Sequence, residues 1–186
     1  MTEETDTIAS ASGYATETWV EGQGYSTGSA IEGLENYLTV NESTNTVLIS
    51  GANLQVVSGA GSTNADVNGT GNIIIGYDEN VENNKSGSHN LVVGYGHNYF
   101  SYGGIVVGYN NSIVGEYSSV SGGGYNTASG DYSSVSGGYN NTASGYSSSV
   151  SGGYINTAEE SSSSVSGGAY NTASGSSSSV SGGQSN

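Results

Sequence analysis

Over the second half of the chain, apolar residues are scarce and regularly placed. Val120, Val135, Val150, Val165 and Val180 each stand in Ser-Val-Ser-Gly-Gly and follow one another at intervals of 15 residues. A second apolar column, Ile113, Ala128, Ala143, Ala158 and Ala173, keeps the same interval. It is preceded by Ser112, Thr127, Thr142, Thr157 and Thr172, and before those by Asn111, Asn126, Asn141, Asn156 and Asn171. One rung therefore reads Ser-Val-Ser-Gly-Gly, a Tyr/Asn turn, Asn-Thr-Ala-Ser-Gly, and a Ser/Tyr turn. Columns in phase over five repeats mark a repeat architecture, in which a unit too small to bury its own apolar face stacks on its neighbours.

The pattern continues upstream with more aliphatic residues. Ile105-Val106-Val107-Gly108 aligns 15 residues before Val120-Ser121-Gly122-Gly123, Leu91–Gly94 lies 14 earlier and Ile73–Gly76 a further 18. The longest rung carries an insertion around Asp78–Ser88. Solenoids absorb length variation in such loops, because each coil has only to return to its stacking position. Segments of four to five residues bounded by Gly, Asn and Tyr are too short for helices and suit strands. The fold class expected is all-β: a parallel β-roll or solenoid with rungs of 14–15 residues over 72–186. Period-2 alternation then puts Ile73, Leu91, Ile105, Val120, Val135, Val150, Val165 and Val180 on one inward face, with Ala128, Ala143, Ala158 and Ala173 as the second core column. The glycine closing each strand fits a turn with positive φ, and the Asn before each Thr-Ala fits a left-handed position.

Upstream of the repeats, Ile31, Leu34 and Leu38 have helical spacing after Ser29 and predict a short helix. Thr46–Gly59 alternates enough to predict a pair of strands. The chain thus reads as an acidic N-terminal spacer with a short helix (1–45), lead-in strands (46–71) and the repeat array (72–186).

Composition sharpens this picture. There are 32 glycines, no proline, no cysteine, and one each of Phe (Phe100), Trp (Trp19) and Met (Met1), with 33% hydrophobic residues. That is too little to fill the layered core of an ordinary domain, and only the periodicity argues against disorder. In the late rungs a coil offers one Val and one Ala inward, a small gain against the entropy of ordering 15 residues. A thin coil is marginal alone; three coils sharing an axis would cover further surface. The doubly apolar strands Ile73–Ile75, Leu91–Val93 and Ile105–Val107 fit that arrangement, because both of their faces need cover. Eight rungs about 4.8 Å apart make a rod of roughly 35–40 Å.

Lys85 is the only basic residue against 16 acids, giving a formal net charge of −15. Nucleic-acid binding rests on Lys/Arg contacts to phosphate, and attraction to an anionic membrane needs the same residues, so neither partner is expected. No apolar run approaches the length of a membrane-spanning helix, and the acidic N-terminus does not read as a signal peptide. The array stops mid-rung at Ser181–Asn186, where Thr-Ala-Ser-Gly should follow. The expectation is a piece of a longer fibre, or copies that join end to end.

Ser134-Val135-Ser136-Gly137-Gly138, and more closely Ile73–Gly76, Leu91–Gly94 and Ile105–Gly108, resemble the Ser-Val-Ala-Ile-Gly rung of the YadA-like heads of trimeric autotransporter adhesins, over residues 72–186. The resemblance implies a left-handed parallel β-roll that trimerises. This chain carries Ala→Ser and Ile→Gly at the matching positions. Residues 14–40 resemble spacer segments of phage tail fibres. Together these imply a homotrimeric fibre or stalk, extracellular, on a cell surface or virion, with a host glycan or protein as a partner.

Little in the chain suggests chemistry. His89 and His97 are the only histidines, flank the Leu91–Gly94 strand and read as turn residues. No nucleophile elbow accompanies them, and no enzyme is expected. Asp78, Glu79 and Glu82 fill the inserted loop and would suit Ca²⁺, though their spacing matches neither an EF-hand nor a calcium roll. No other cofactor is expected. The Thr127, Thr142, Thr157, Thr172 rank offers an alternative, an ice- or surface-binding solenoid. Its neighbouring rank of Ser129, Ser144, Glu159 and Ser174 is interrupted by a carboxylate. Tyr109, Tyr125, Tyr139, Tyr154 and Tyr170 would pack along the rod edge or contact a glycan or protein.

Overall fold

Each rung of the repeat contributes one short strand to each of two parallel sheets. The first, here the valine sheet, runs Ile73–Ile75, Leu91–Tyr95, Ile105–Tyr109, then Ser119–Val120, Ser134–Val135, Ser149–Val150, Ser164–Val165 and Ser179–Val180. The second, the alanine sheet, runs Asn98–Tyr99, Ser112–Ile113, Thr127–Ala128, Thr142–Ala143, Thr157–Ala158 and Thr172–Ala173. Every pairing in both is parallel, and the chain passes from one sheet to the other and back in each turn. This is a parallel β-solenoid. The computed structural model describes residues 34–79 and 82–186, and the chain divides into two compact units between Gln55 and Val56.

The interior of the solenoid is a single file from each sheet. Val92, Val106, Val120, Val135, Val150 and Val165 are buried on one side, and Tyr99, Ile113, Ala128, Ala143, Ala158 and Ala173 on the other, with Val180 partly buried at the last rung. The second file changes from large to small, from Tyr99 through Ile113 to alanine.

The register differs from the sequence expectation by one residue in the first three rungs. Ile105 stands opposite Ser119 and Val106 opposite Val120, while Leu91 stands opposite Ile105 and Ile73 opposite Leu91. Ile73, Leu91 and Ile105 therefore lie on the outer face of the sheet, and Val92 and Val106 lie inside. The cause is an extra residue in the later rungs. The turn glycines keep a 15-residue interval, with Gly108 packed on Gly123, whereas Val106 and Val120 are 14 apart. Aligning on glycine carries the strand out of phase, and since side chains alternate, a one-residue slip exchanges the two faces.

The left-handed turn positions also differ. They fall not on the buried Asn but on the residue before it: Asn110, Tyr125, Asn140, Ile155, Tyr170 and Ser185 have φ between 50° and 61°. Most backbone N–H groups donate to the following rung, as Gly124 does to Gly138 O. The left-handed residue instead donates to the preceding one, Tyr125 to Tyr109 O, Asn140 to Gly124 O and Ile155 to Tyr139 O, each at 3.0 Å. That backbone bond holds even a β-branched Ile155 where isolated chains rarely go.

In the N-terminal unit, Leu34–Asn36 is one 3-10 turn, and Leu38 opens a strand instead of continuing a helix. No α-helix occurs among the described residues; Ser29 and Ile31 lie outside them. Leu38–Asn41 pairs antiparallel with Thr46–Ile49. Asn41 Oδ1 accepts from the Ser43 N–H at 3.1 Å and hydroxyl at 2.7 Å, and Asn45 takes φ 50°, so a tight hairpin wins over the apolar spacing. The strand at Thr46 thus pairs backwards, and Gly51–Gly71 contains no strand.

Candidate functional site

Inside the turn that follows each valine strand runs an asparagine ladder. Asn111, Asn126, Asn141, Asn156 and Asn171 are fully buried. Each backbone N–H from Asn126 to Asn171 donates to the Oδ1 of the Asn one rung earlier, at 2.8–3.0 Å. Each Nδ2 donates twice more: for Asn141 to Gly137 O in its own turn and Gly153 O in the next, both 3.0 Å. Each Asn thus ties three rungs, its backbone N–H bonded to the one before and its carboxamide to its own and the next. Burial without such partners would be costly, which explains why no other residue type fills the column in the regular rungs.

His97 takes the ladder position in the rung above Asn111. Its ring is buried; Asn111 N–H donates to Nδ1 at 3.2 Å, and Nε2 lies 3.0 Å from Val93 O, as an Asn carboxamide would. Accepting at Nδ1 fixes the neutral tautomer protonated on Nε2. Burial lowers the pKa below its ordinary 6.5, outweighing the backbone hydrogen bonds and the Asp78 charge. The stabilisation is complete above the ordinary value and is lost as pH falls below it, because the unfolded chain takes up the proton first. Melting followed by circular dichroism should show the wild type losing stability as pH falls below the ordinary histidine value of 6.5, a loss that His97→Asn removes.

The inserted loop is pinned to the same rungs. Asp78, at φ 51°, faces Lys85 Nζ at 3.0 Å and accepts from the Tyr99 hydroxyl at 3.0 Å. Lys85 also donates to the Asp78 and Glu79 carbonyls. Burial and Asp78 together push the Tyr99 phenol well above its usual range. Of the calcium candidates, Asp78 already faces a cationic side chain, and Asp78, Glu79 and Glu82 form no metal-holding group. Among the described residues no three His, Cys, Asp or Glu are grouped to hold a metal ion. His89, at φ 56°, accepts from the Ser58 N–H at 3.0 Å and so fastens the lead-in segment. A cleft of about 230 Å³ beside it is lined by Val56, Ile73, Leu91 and backbone.

The outer faces carry the remaining chemistry. On the valine sheet, alternation turns Ile73, Ile75, Leu91, Val93, Ile105 and Val107 outward; Ile73 and Ile105 are each 42% exposed and Ile75 59%. From Ser119 on, the same face presents two parallel serine ranks, Ser119 to Ser179 and Ser121 to Ser181. The alanine sheet presents the threonine rank and the rank interrupted by Glu159.

Tyrosines line both edges. Tyr95, Tyr109, Tyr125, Tyr139, Tyr154 and Tyr170 form one file with ring centroids 5.2–5.9 Å apart. Tyr102, Tyr117, Tyr132 and Tyr146 form a second at 5.2–5.5 Å. A hydrogen bond to Glu116 pushes the Tyr102 phenol up to about 12. The second file was readable in the sequence from its spacing. So was His97, 14 residues before Asn111 in the Asn column.

No protein-family model, no curated protein and no solved structure matches this chain. No helix among the described residues is long and apolar enough to cross a membrane.

Proposed function

We propose that this chain is a non-catalytic shaft segment of an extracellular fibre, on a cell surface or virion, in which sister chains assemble as a homotrimer along the outer face of the valine sheet. The observation that carries the reading is the pair of apolar faces on Ile73–Ile75, Leu91–Tyr95 and Ile105–Tyr109. A parallel sheet is ordinarily covered on both sides, and six outward aliphatic side chains over three adjacent strands ask for a partner. Below them the face narrows to the two serine ranks. Small side chains there favour close approach of an identical coil. The resemblance of these strands to YadA-like head rungs supports the same assembly.

The test is molecular mass in solution by light scattering, with electron microscopy of the same sample. The expected result is three chains per particle, and the charged substitution Ile105→Asp, on the outer face, should release single chains. A wild-type monomer would overturn the reading.

The paired serine ranks favour a second reading, binding to an ordered surface such as ice. Those ranks run uninterrupted over five rungs, unlike the threonine face. A monomeric wild type showing thermal hysteresis would select it.

A further inference from the structure

The inserted loop holds the chain's only lysine, and that lysine is turned onto a carboxyl group. Lys85 Nζ lies 3.0 Å from Asp78 Oδ1, and both side chains are 22% exposed. Its hydrogen bonds go elsewhere, to the backbone carbonyls of Asp78 and Glu79. Asp78 Oδ1 is buried and accepts no hydrogen bond among the described residues, although Nζ stands beside it. The other oxygen, Oδ2, accepts from the Tyr99 hydroxyl at 3.0 Å, and Tyr99 is 2% exposed. An amine, an oxygen without a hydrogen bond and a buried phenol thus meet at one carboxyl group.

A neutral amine on a lysine has two N–H bonds and one lone pair. With both N–H bonds given to carbonyls, the lone pair of Lys85 faces its remaining neighbour, the Asp78 carboxyl. The Tyr99 hydroxyl draws charge from the carboxyl carbon and holds Oδ2 in place. Burial, with Asp78 beside it, raises the phenol above its ordinary pKa and keeps it a donor. Oδ1, whose burial without a partner costs stability, is the oxygen free to leave.

We propose that Asp78 and Lys85 are a modification site at which the chain condenses with itself, forming an amide between Asp78 Cγ and Lys85 Nζ. The ammonium passes one proton to Oδ1, leaving a neutral amine against a carboxylic acid. The amine attacks Cγ, a carbon–nitrogen bond forms, and Oδ1 departs with a second amine proton as water. Oδ2 remains as the amide oxygen and keeps the Tyr99 hydrogen bond. One ammonium and one carboxylate become one amide and one water, so the step needs no oxidant or other reagent. Placement on a folded rung supplies the high effective concentration that condensation in water requires. The product closes the inserted loop into a covalent ring fastened to Tyr99, in a chain that has no cysteine.

The experiment measures the intact mass of the full-length chain and then treats the denatured protein with trypsin. Lys85 is the only residue after which trypsin can cut, and it does not cut after an acylated lysine. The expected result is a mass one water below that of the sequence, and a chain that trypsin leaves whole. A glutamate-specific protease, cutting after Glu42, Glu79, Glu82 and Glu116, should leave 43–79 joined to 83–116, one water lighter than the two together. Lys85→Arg keeps the charge without the amine; it should show its full sequence mass and be cut by trypsin. Tyr99→Phe keeps a ring in the core and should slow the linkage on the order of a hundredfold, with circular dichroism showing the rungs still folded. A wild-type chain of full sequence mass that trypsin cuts after Lys85 would overturn the proposal, and so would a lost water with that cleavage intact.

Discussion

Asn141→Leu is expected to cost the solenoid about 3–5 kcal/mol, far more than a change of similar volume on the surface. Leucine keeps the bulk of the side chain but removes every bond it makes. The Asn156 N–H loses its acceptor, at 2.9 Å, and the carbonyls of Gly137 and Gly153 lose a donor each at 3.0 Å. Gly153 O still receives the Tyr139 N–H, so the damage concentrates on Asn156 and Gly137. A buried donor or acceptor left unmet costs about 1–3 kcal/mol, and two are created at once. Because rungs interact with their neighbours only, the loss should be local. Hydrogen exchange resolved along the chain should show protection falling in the rungs around residues 126–156, with the strands before Tyr109 keeping theirs. An unchanged exchange pattern would mean that the ladder contributes little.

The two adjacent glycines of one turn should respond in opposite ways. Gly138 has φ 82°, and a Cβ there would run into the Gly153 carbonyl oxygen and lie 2.6 Å from Asn141 Nδ2. Gly138→Ala adds the strain of a left-handed alanine, about 1–2 kcal/mol, to a collision with backbone that cannot move without opening the next rung. Gly137 lies outside the left-handed region, and its Cβ position meets nothing within 4 Å. Gly137→Val should therefore fold, and gain from the β preference of valine. The comparison is a pair of thermal melts: a large drop for Gly138→Ala against little change or a rise for Gly137→Val. Equal losses in both would indicate that the turn tolerates no side chain at all.

The architecture was legible because repeating columns leave few ways to stack. Valine and alanine at constant intervals, separated by Gly and Asn, admit parallel coils and little else. The finer assignments needed coordinates. Ile105 and Val106 are both apolar, so hydrophobicity could not say which faced inward, and the glycine interval pointed to the wrong one. Asn141 suggested a turn by its type, yet its carboxamide is worth more inside, bonded to its own rung and the next, than in the left-handed position that Asn140 takes instead. The Asp78–Lys85–Tyr99 contact joins residues across an insertion of irregular length, and no periodic reading reaches it. The helical spacing of Ile31, Leu34 and Leu38 does not carry through Leu38, because the hairpin closed by Asn41 takes that residue into a strand.

From Asn126 to Asn171 each coil hands the same bond to the next, and nothing in one coil records how many precede it. Such a chain resembles a ruler without numerals. Adding or deleting a whole 15-residue unit would change its reach and leave every local contact as before. The irregular coils around His97 and Tyr99, which have no copies elsewhere, are the mark from which the others can be counted.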